Sequence, residues 1–312
     1  MTNTKIPQTL LETVRYFADS ETCIQFFAEI RWPNGVTCPR DECASKEVWT
    51  IRSKARGMTL WRCKACRKQF TVKVGTIFED SPLGLDKWLP AFWLELASKK
   101  DFSSYQLARA IKVTQRTAWF MLHRIRAVMQ TENVTPLSGE VEVDETFIGG
   151  KERFKHASKR KHLGRGAVGK AAVMGLLERH GQIRAKSVRS TTKHDLQAEI
   201  VDTVTAGSTI YSDALKSYDG LESEYIHEVI DHAEAFVNGR IHTNGLENFW
   251  SLFKRTIYGT HHSVEAFHLD RYLDSATYRY NTRKMTDGAR FAGALAQADG
   301  RRLTYKALTG KD

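Results

Sequence analysis

Three acidic residues have the types and positions of a divalent-metal site. Asp144 lies where the strand predicted from VEVDETFIGG approaches its glycine turn, and Asp213 ends the strand predicted from TIYSD. Glu247 lies on a helix predicted from HTNGLENFWSLFKR, which could pack against the same sheet. Clustered carboxylates repel one another unless a cation lies between them, and Mg²⁺ accepts a few carboxylates together with water and phosphate oxygens. Two such ions about 4 Å apart can hold the attacking and leaving oxygens of an in-line phosphoryl transfer.

The helix predicted to carry Glu247 has two different faces. Lys254 follows Glu247 by seven residues, nearly two helical turns, so the carboxylate and the ammonium project from one side. Taken alone, such a pair is more often a solvated helix face than a functional one. Apolar residues recur at three- and four-residue steps on the other side, which is typical of a helix packed on a core. They are Leu246, Phe249, Trp250, Phe253 and Ile257.

Four of the five cysteines form two close pairs. Cys38 and Cys43 make a C-x4-C pair in CPRDEC, and after 19 intervening residues Cys63 and Cys66 make a C-x2-C pair in WRCKACRKQF. Zn²⁺ prefers four such ligands in a tetrahedron, and a complete set leaves no open position for catalysis. The spacing therefore predicts structural zinc, the alternative being free or redox-active thiols. Cys23, among helically spaced apolar residues, is predicted to be a packed core thiol.

The segments before and after the cysteines divide into recognisable elements. Residues 8–32 are predicted to form one helix, which Pro33, Asn34 and Gly35 end. Short β-rich pieces around a basic turn then predict a small zinc-stapled hairpin domain. From residue 138 onward, predicted strands alternate with helices, which indicates an α/β domain.

Residues 85–130 are predicted to be helical, with a break near Lys112 and Val113 and Thr114 as N-cap of the last helix. This is the spacing of a helix-turn-helix, whose second helix enters the major groove of DNA. Its candidate DNA contacts are Gln115, Arg116 and Arg124. The alternative is a plain helical hairpin inside a core.

A strongly basic segment lies between the first two predicted strands of the α/β half. KERFKHASKRKHLGRGAVGK contains eight Lys or Arg and one acid, and its centre, Lys159, Arg160 and Lys161, is predicted to contact DNA phosphates. Such a run is usually a solvated loop. The chain has 47 Lys and Arg against 36 acids, a net charge of +11, which favours a polyanionic partner without identifying it.

The 312 residues suffice for several domains, and we expect an α/β multidomain protein. No apolar run approaches the ~20 residues needed to cross a bilayer, and no signal-peptide layout is present, so a cytoplasmic protein is expected. The predicted regions are an N-terminal helical segment (1–35), a zinc ribbon (36–80), a helical DNA-binding region (81–135), a catalytic domain (138–285) and a C-terminal tail (286–312).

The order VEVDETFIGGK, IYSDALKSY and HTNGLENFWSLFKR, after a C-x4-C and C-x2-C ribbon, resembles bacterial insertion-sequence transposases of the ISXO2-like type. The resemblance covers about residues 15–285. It implies a zinc ribbon joined to a DDE domain of RNase H-like (retroviral-integrase-like) fold, with Asp144, Asp213 and Glu247 as ligands of Mg²⁺ or Mn²⁺. Asp213 follows Asp144 by 69 residues and Glu247 follows Asp213 by 34, which suits such a domain. Lys254 matches a basic residue that the superfamily places near the DNA.

The same resemblance implies metal-dependent cleavage and strand transfer at transposon ends. The expected partners are double-stranded DNA, both transposon ends and target, and further copies of the chain in a homodimer or higher oligomer, at the nucleoid. Some relatives have Asn at the third position, which here would be Asn244; we favour Glu247, because an anion better offsets metal charge. His242 is a candidate for orienting phosphate or water, or else a helix-start histidine, and Glu142 is a candidate auxiliary acid.

Two rival functions remain at this point. A host nuclease or resolvase on the same fold would hydrolyse DNA without joining it. A zinc-ribbon transcription regulator would bind DNA, and its three acids would be incidental.

Overall fold

The computed structural model describes residues 5–53, 58–130, 135–150, 156–160, 169–230 and 242–310. The chain divides into two compact units. Met1–Gln130 and Lys284–Asp312 form the first, and Thr131–Arg283 form the second.

The helices are α1 (Leu10–Tyr16), α2 (Ser20–Arg31), α3 (Leu85–Ala97), α4 (Ser104–Ile111), α5 (Gln115–Met129), α6 (Lys193–Thr203), α7 (Asn244–Thr256), α8 (Leu269–Asn281), α9 (Asp287–Ala296) and α10 (Tyr305–Thr309). The strands are β1 (Val48–Arg52), β2 (Thr59–Cys63), β3 (Gln69–Phe70), β4 (Glu140–Ile148), β5 (Ala171–Glu178), β6 (Ile183–Val188), β7 (Thr209–Asp213) and β8 (Ile226–Ile230).

The last part of the chain is packed into the first unit, whereas the sequence predicted a C-terminal tail over 286–312. In α9, the Phe291 ring lies 6.0 Å from Phe17 and 6.1 Å from Phe26, measured between ring centroids. Farther along, Asp299 forms an ion pair with Arg31 of α2 at 2.6 Å. The prediction of a tail is therefore corrected: aromatic burial and an ion pair fix this segment to the N-terminal helices.

The segment 8–32 forms two helices and not the single helix expected. Asp19 at the start of α2 accepts hydrogen bonds from the Thr22 amide and the Thr22 hydroxyl, both at 2.8 Å. An N-cap of this kind begins a new helix, because its carboxylate satisfies an amide that has no partner inside the helix. The apolar period continued across the break, so the sequence pattern alone did not separate the two.

The ribbon is an antiparallel sheet in the order β1-β2-β3. Trp61 of β2 packs on Trp32 with ring centroids 5.5 Å apart, and Phe70 of β3 lies 6.1 Å from the same ring. Three short strands bury little apolar surface by themselves. The aromatic cluster therefore supplies much of the packing that this small sheet needs.

α4 and α5 are two helices separated at the predicted break, and their role as a helix-turn-helix stays a prediction. Between them Lys112 adopts a left-handed φ of 53°, and Thr114 Oγ1 accepts the Thr117 amide at 3.2 Å. The break and the Thr114 cap are thus confirmed. Arg126 of α5 is 1% exposed and forms an ion pair with Glu95 of α3 at 3.2 Å. Because a buried charge is costly unless it is paired, this contact fixes the helical hairpin on α3.

The second unit is built on a five-stranded mixed sheet in the order β6-β5-β4-β7-β8. β5 pairs antiparallel with β6 and with β4, and β7 and β8 extend the sheet from β4 in parallel. β4 is the central strand. The strands and helices predicted from residue 138 onward are therefore present as a mixed α/β unit.

The two faces of this sheet have different helical covers. Alternation along a strand sends neighbouring side chains to opposite faces. Val141 and Val143 belong to the core beneath α6, and Glu142 and Asp144 contact α7 on the other face. The apolar side of α7 is buried against that second face, as predicted. Leu246, Phe249, Trp250, Phe253 and Ile257 are each at most 4% exposed.

The helices in the described ranges are short. α5 is the longest of them, with 15 residues. Within those ranges no helix has both the length and the apolar character needed to cross a membrane.

Candidate active site, zinc centre and DNA-binding helix

Asp144 and Asp213 lie at equivalent positions of neighbouring parallel strands. The register pairs Glu142 of β4 with Tyr211 of β7, and each aspartate follows its paired residue by two positions. Two positions along a strand return the side chain to the same face. The two carboxylates therefore project from adjacent strands toward the face that α7 covers.

Asp213 is the last residue of β7, as predicted, but Asp144 is not at the end of β4. β4 continues to Ile148 through its pairing with β5. On the β7 side the pairing stops at Glu142. Asp144 thus lies mid-strand, with a paired strand on one side and the end of the β4–β7 pairing on the other.

Burial and neighbouring acids favour the protonated form of Asp144. Its pKa is raised to about 7, first by burial and then by the charges of Glu145 and Asp213. Burial and Asp213 also raise the pKa of Glu145, although the Tyr218 hydroxyl donates a hydrogen bond to Glu145 at 2.7 Å. Acids gathered with so little compensating charge fit a divalent cation, which would relieve their repulsion.

Trp250 of α7 contacts Asp144 directly. The indole Nε1 donates a hydrogen bond to Asp144 Oδ2 at 3.0 Å. The indole can lie this close to the sheet because Gly175, the β5 partner of Asp144, has no side chain. A Cβ on Gly175 would lie 2.5 Å from Trp250 Cζ2 and 2.9 Å from a Leu246 methyl. The glycine therefore makes room for the tryptophan that orients the aspartate.

Glu142 binds the first turn of α7 instead of joining the two aspartates. It is 2% exposed, and its Oε2 accepts the Leu246 amide at 3.1 Å. Its Oε1 accepts Arg179 Nε at 3.2 Å and lies 3.5 Å from His242 Nδ1. A Cβ on Gly245 would lie 2.6 Å from Glu142 Oε2, so the helix start approaches the strand closely. The two auxiliary candidates from the sequence, Glu142 and His242, thus contact each other at the start of α7.

Glu247 and Lys254 both lie on α7, seven residues apart on one side of the helix, as predicted. Glu247 is exposed and Lys254 is partly buried. Asn244, the alternative third ligand, is the exposed first residue of α7. Across the described ranges, the four cysteines are the only set of three or more His, Cys, Asp or Glu ligand atoms within 4.8 Å of one another. The three acids are therefore less closely gathered than the cysteines.

The four predicted zinc ligands converge at one end of the ribbon. Cys38 and Cys66 have their sulfurs 3.8 Å apart, Cys43 and Cys63 have theirs 3.6 Å apart, and all four lie within 4.8 Å of one another. Zn–S bonds of about 2.3 Å give a tetrahedron with edges of about 3.8 Å, so this cluster fits zinc. Hydrogen bonds, the strongest of them from the Cys66 amide, lower the pKa of Cys63 to about 7, which favours the thiolate that binds metal. Cys23 lies apart, fully buried, as predicted.

The DNA contacts predicted on α5 divide into two kinds. Arg116 is exposed in the first turn and donates a hydrogen bond to the Tyr305 hydroxyl at 2.7 Å, and Gln115 donates to Ser104 Oγ at 2.9 Å. Arg124 is different, because it is 5% exposed and donates to the carbonyls of Ile77 and Glu79, both at 2.8 Å. The prediction of Arg124 as a DNA contact is corrected, because its guanidinium is buried and bonded to backbone carbonyls of the first unit.

Of the basic centre of the segment 151–170, the structure describes only part. Arg160 is exposed directly after a 3₁₀ turn at Ala157–Lys159. The Lys159 side chain and the whole of Lys161 lie outside the described residues. The predicted phosphate contacts of this segment therefore stay predictions.

Ser212, His227 and Glu222 have the order of a nucleophile, a base and an orienting acid. Ser212 Oγ lies 2.9 Å from His227 Nε2, and His227 Nδ1 lies 3.2 Å from Glu222 Oε1. However, Ser212 is 0% exposed and also donates to the Asp213 carbonyl at 2.9 Å. A substrate cannot reach a hydroxyl buried in this way, so the group stabilises β7 beside Asp213.

Three residues that shape the candidate active site were not predicted from the sequence in that role. Trp250 was expected in the core, without its hydrogen bond to Asp144. Gly175 had a signal, because an isolated glycine in the apolar strand AAVMGLLE often marks a close approach of another element. Arg179 follows β5 among ordinary polar residues, and no sequence pattern distinguishes it.

Comparisons with known proteins agree with this arrangement. Residues 136–281 match the family model of the ISXO2-like transposase domain, and residues 18–69 match that of the transposase zinc-ribbon domain. An uncharacterized protein in transposable element ISH50 of Halobacterium salinarum is 28% identical over 272 residues, covering 83% of this chain and 90% of that protein. An uncharacterized transposase-like protein of Haemophilus influenzae is 32% identical over 83 residues, covering 26% of this chain and 67% of that protein.

Proposed function

The chain belongs to the transposases that combine a zinc-ribbon domain with an ISXO2-like transposase domain, and we propose that it binds the terminal inverted repeats of an insertion sequence and catalyses Mg-dependent DNA cleavage and strand transfer. The observation that carries the proposal is the placement of Asp144 and Asp213 on one face of adjacent parallel strands, inside the matched domain. The burial of Asp144 and its repulsion by Asp213 make that placement costly without a cation. A metal-dependent reaction is the function that such a placement supports best.

We infer an RNase H-like fold for the second unit. Three antiparallel strands are continued by two parallel ones, with β4 in the centre. α6 covers one face, and α7 and α8 cover the other. The acids would then lie on the central strand, on the neighbouring parallel strand and on a helix across that face.

Asp144, Asp213 and Glu247 would hold the catalytic ions, Mg²⁺ or Mn²⁺, with Asn244 as the alternative third ligand. When bound, such ions neutralise phosphate charge and align the attacking and leaving oxygens. Trp250 orients Asp144 through its indole N–H. Lys254, on the same side of α7 as Glu247, would bind a phosphate of the transposon end.

Two successive phosphoryl transfers would take place in this one site. In the first, a water attacks the phosphodiester at the transposon end, which leaves a free 3′-hydroxyl and a 5′-phosphate. In the second, that hydroxyl attacks a target phosphodiester and displaces the target 3′-oxygen, so that transposon and target strands become joined. Neither step forms a covalent bond to the protein, which agrees with the inaccessibility of Ser212.

DNA binding is assigned to the first unit and to basic segments of the second. The first turn of α5 would enter the major groove, where Gln115 and Arg116 read base edges. The zinc ribbon and the segment that contains Arg160 would add phosphate contacts. Two transposon ends must be brought together, so we propose a homodimer or higher oligomer on the DNA, acting on the chromosome in the bacterial cytoplasm.

A strand-transfer assay tests the proposal directly. The purified chain is incubated with labelled terminal-repeat DNA, a target plasmid and Mg²⁺, and joined products are separated from cleaved ones. We expect both cleavage and joining. Cleavage without joining would favour a host nuclease, and specific binding without cleavage would favour a transcription regulator.

A further inference from the structure

Arg179, the residue directly after β5, lies where three elements of the second unit meet. Its Nε donates to Glu142 Oε1 in β4 at 3.2 Å, and its Nη2 donates to the His242 carbonyl, just before α7, at 2.9 Å. The same guanidinium lies over the Tyr211 ring in β7, 3.9 Å from the ring centroid. One arginine can make all these contacts, because its planar group carries five N–H donors and stacks on aromatic faces.

The partners of Arg179 occupy corresponding places relative to the candidate metal ligands. Glu142 precedes Asp144 by two residues, and Tyr211 precedes Asp213 by two, so each partner shares a sheet face with a ligand. His242 lies two residues before α7, the helix that carries the third acid. A single side chain therefore contacts both acid-bearing strands and the residue that leads into the third acid-bearing element, α7.

The start of α7 depends on the Glu142 carboxylate that Arg179 holds. Within the described part of the chain, the Thr243 side chain at the N-cap makes no capping hydrogen bond. Glu142 Oε2 instead accepts the Leu246 amide at 3.1 Å, a favourable place for an anion near a helix N-terminus. Glu142 is 2% exposed, and a carboxylate buried so deeply needs a cation beside it. Arg179 is that cation.

We propose that Arg179 is a positioning residue for the transposition reaction: by holding Glu142, the His242 carbonyl and Tyr211 together, it sets the distance between α7 and the two strands that carry Asp144 and Asp213. This inference rests on the proposed function, since it assumes that the three acids bind metal. Arg179 itself touches neither DNA nor metal in this scheme. Groups that orient metal ligands typically change metal affinity about 10- to 100-fold when they are removed.

The experiment compares Arg179→Ala and Arg179→Lys with the matched control Arg184→Ala. Arg184 lies on β6 and donates to the Thr135 carbonyl, away from the three acid-bearing elements. Three quantities are measured on the full chain: Mn²⁺ affinity by electron paramagnetic resonance, hydrogen exchange in the first turn of α7 without added divalent ion, and cleavage of terminal-repeat DNA.

For Arg179→Ala we expect Mn²⁺ affinity to fall about 10- to 100-fold. Exchange at the start of α7 should accelerate at least about tenfold, while exchange in β5 and β6 stays close to that of the unchanged protein. Arg179→Lys should lie between the two, because it keeps the charge beside Glu142 but loses the fork and the stacking. Added guanidinium ion should restore part of the Mn²⁺ affinity of the alanine variant. Arg184→Ala should change none of these quantities.

Several outcomes would overturn the inference. Unchanged Mn²⁺ affinity in both Arg179 variants would do so, as would equal effects of Arg179→Ala and Arg184→Ala. Faster exchange throughout the second unit, with no rescue by guanidinium, would show that Arg179 only supports folding. Should the alanine variant fail to fold, the lysine variant decides, because it retains the buried ion pair and tests the geometry alone.

Failure of the proposed function has a different signature. If Asp144→Asn binds Mn²⁺ and cleaves DNA like the unchanged chain, the metal assignment is wrong whatever Arg179 does. If Asp144→Asn is inactive while Arg179→Ala is normal, the metal assignment stands and only the positioning role is lost.

Discussion

Trp250 donates its indole N–H to Asp144 Oδ2 at 3.0 Å, so a helix residue that belongs to the apolar core also orients an acid of the candidate active site. Trp250 is 4% exposed and lies three residues after Glu247 on α7. The same side chain therefore packs α7 on the sheet and orients Asp144. A change in either should be felt in the other.

Trp250→Phe separates these two roles, because it keeps an aromatic ring and removes the N–H donor. We expect a loss of stability of about 1–2 kcal/mol, from one hydrogen bond and a smaller ring. Cleavage should fall about 10- to 100-fold, because Asp144 loses the group that orients it. The indole bond lowers the pKa of Asp144, so its removal should also shift the pH dependence of cleavage to higher pH.

The matched control is Phe253→Leu on the same buried side of α7. It should destabilise the unit by a similar amount and leave cleavage near normal at a temperature where both variants are folded. Equal cleavage by Trp250→Phe and the unchanged protein would show that the indole hydrogen bond does not contribute to cleavage.

Gly175→Ala tests the close approach of α7 to the sheet. The added Cβ would lie 2.5 Å from Trp250 Cζ2, so the helix or the ring must move. We expect a destabilisation of about 1–3 kcal/mol, the usual cost of overpacking. In the double variant with Trp250→Phe the clash is reduced. The double variant should therefore lose less unfolding free energy, measured by urea denaturation, than the two single variants lose together. Strict additivity would mean that the clash is absorbed elsewhere.

The stability of the second unit should fall as pH rises, when no divalent ion is added. The pKa of Asp144 is about 7 in the folded protein and about 4 in the unfolded chain, so the folded state binds the proton more tightly. This contribution is complete below about pH 4 and is lost as pH rises toward 7, with a limit of about 4 kcal/mol. Urea unfolding of β4, followed by hydrogen-exchange labelling, measures it. Asp144→Asn should remove the part of the slope that Asp144 contributes and leave the part from Glu145, whose pKa is also raised, and Mg²⁺ should offset the loss at neutral pH.

Much of this architecture was accessible from the sequence because it is periodic. α7 combines an apolar period with two charges seven residues apart, and it is present with its apolar side buried. Thr114 and the break before it mark a helix start in any context, and they were placed correctly. The spacing of the cysteine pairs is typical of a zinc site, and their four sulfurs lie close together in the structure.

What the sequence could not supply depends on contacts between distant elements. Arg124 was predicted to be a surface charge on a recognition helix. In the structure its buried guanidinium donates hydrogen bonds to two backbone carbonyls that are 45 or more residues away in sequence. Asp144 looked like a strand end, because the extension of β4 to Ile148 is set by its partner β5 and not by its own residues. Arg179 shows the same limit, since its importance comes from three partners that are unrelated in sequence.

Cys63→Ser tests the zinc centre. Serine is a poor zinc ligand, and structural zinc contributes folding energy directly, so the ribbon should unfold and DNA binding should weaken. The second unit has its own core and should keep its hydrogen-exchange protection. Elemental analysis should find about one zinc per chain in the unchanged protein, the content of one four-cysteine site. Cys23→Ser is the matched control, because Cys23 is buried outside the cluster and should leave the zinc content unchanged.

The last prediction concerns the three acids. Asp144→Asn, Asp213→Asn and Glu247→Gln each remove one charge with little change of shape, so each should abolish cleavage and strand transfer while specific DNA binding persists. The loss should exceed about a thousandfold if the acids are ligands of the catalytic ions, and gel-shift and strand-transfer assays on the same terminal-repeat DNA measure both properties.

Two further variants on α7 complete this test. Lys254→Ala leaves the ligands in place and removes a cation from the DNA side, so it should weaken engagement of the transposon end and lower cleavage only in part. Asn244→Ala decides between the two candidates for the third ligand: if Asn244 binds the metal, its variant should be as inactive as the aspartate variants and Glu247→Gln should be mild. We expect the reverse, because a carboxylate offsets the charge of a divalent ion and an amide does not. Mg²⁺-dependent cleavage that survives in all three acid variants would refute the site and leave the regulator as the better explanation of a DNA-binding chain.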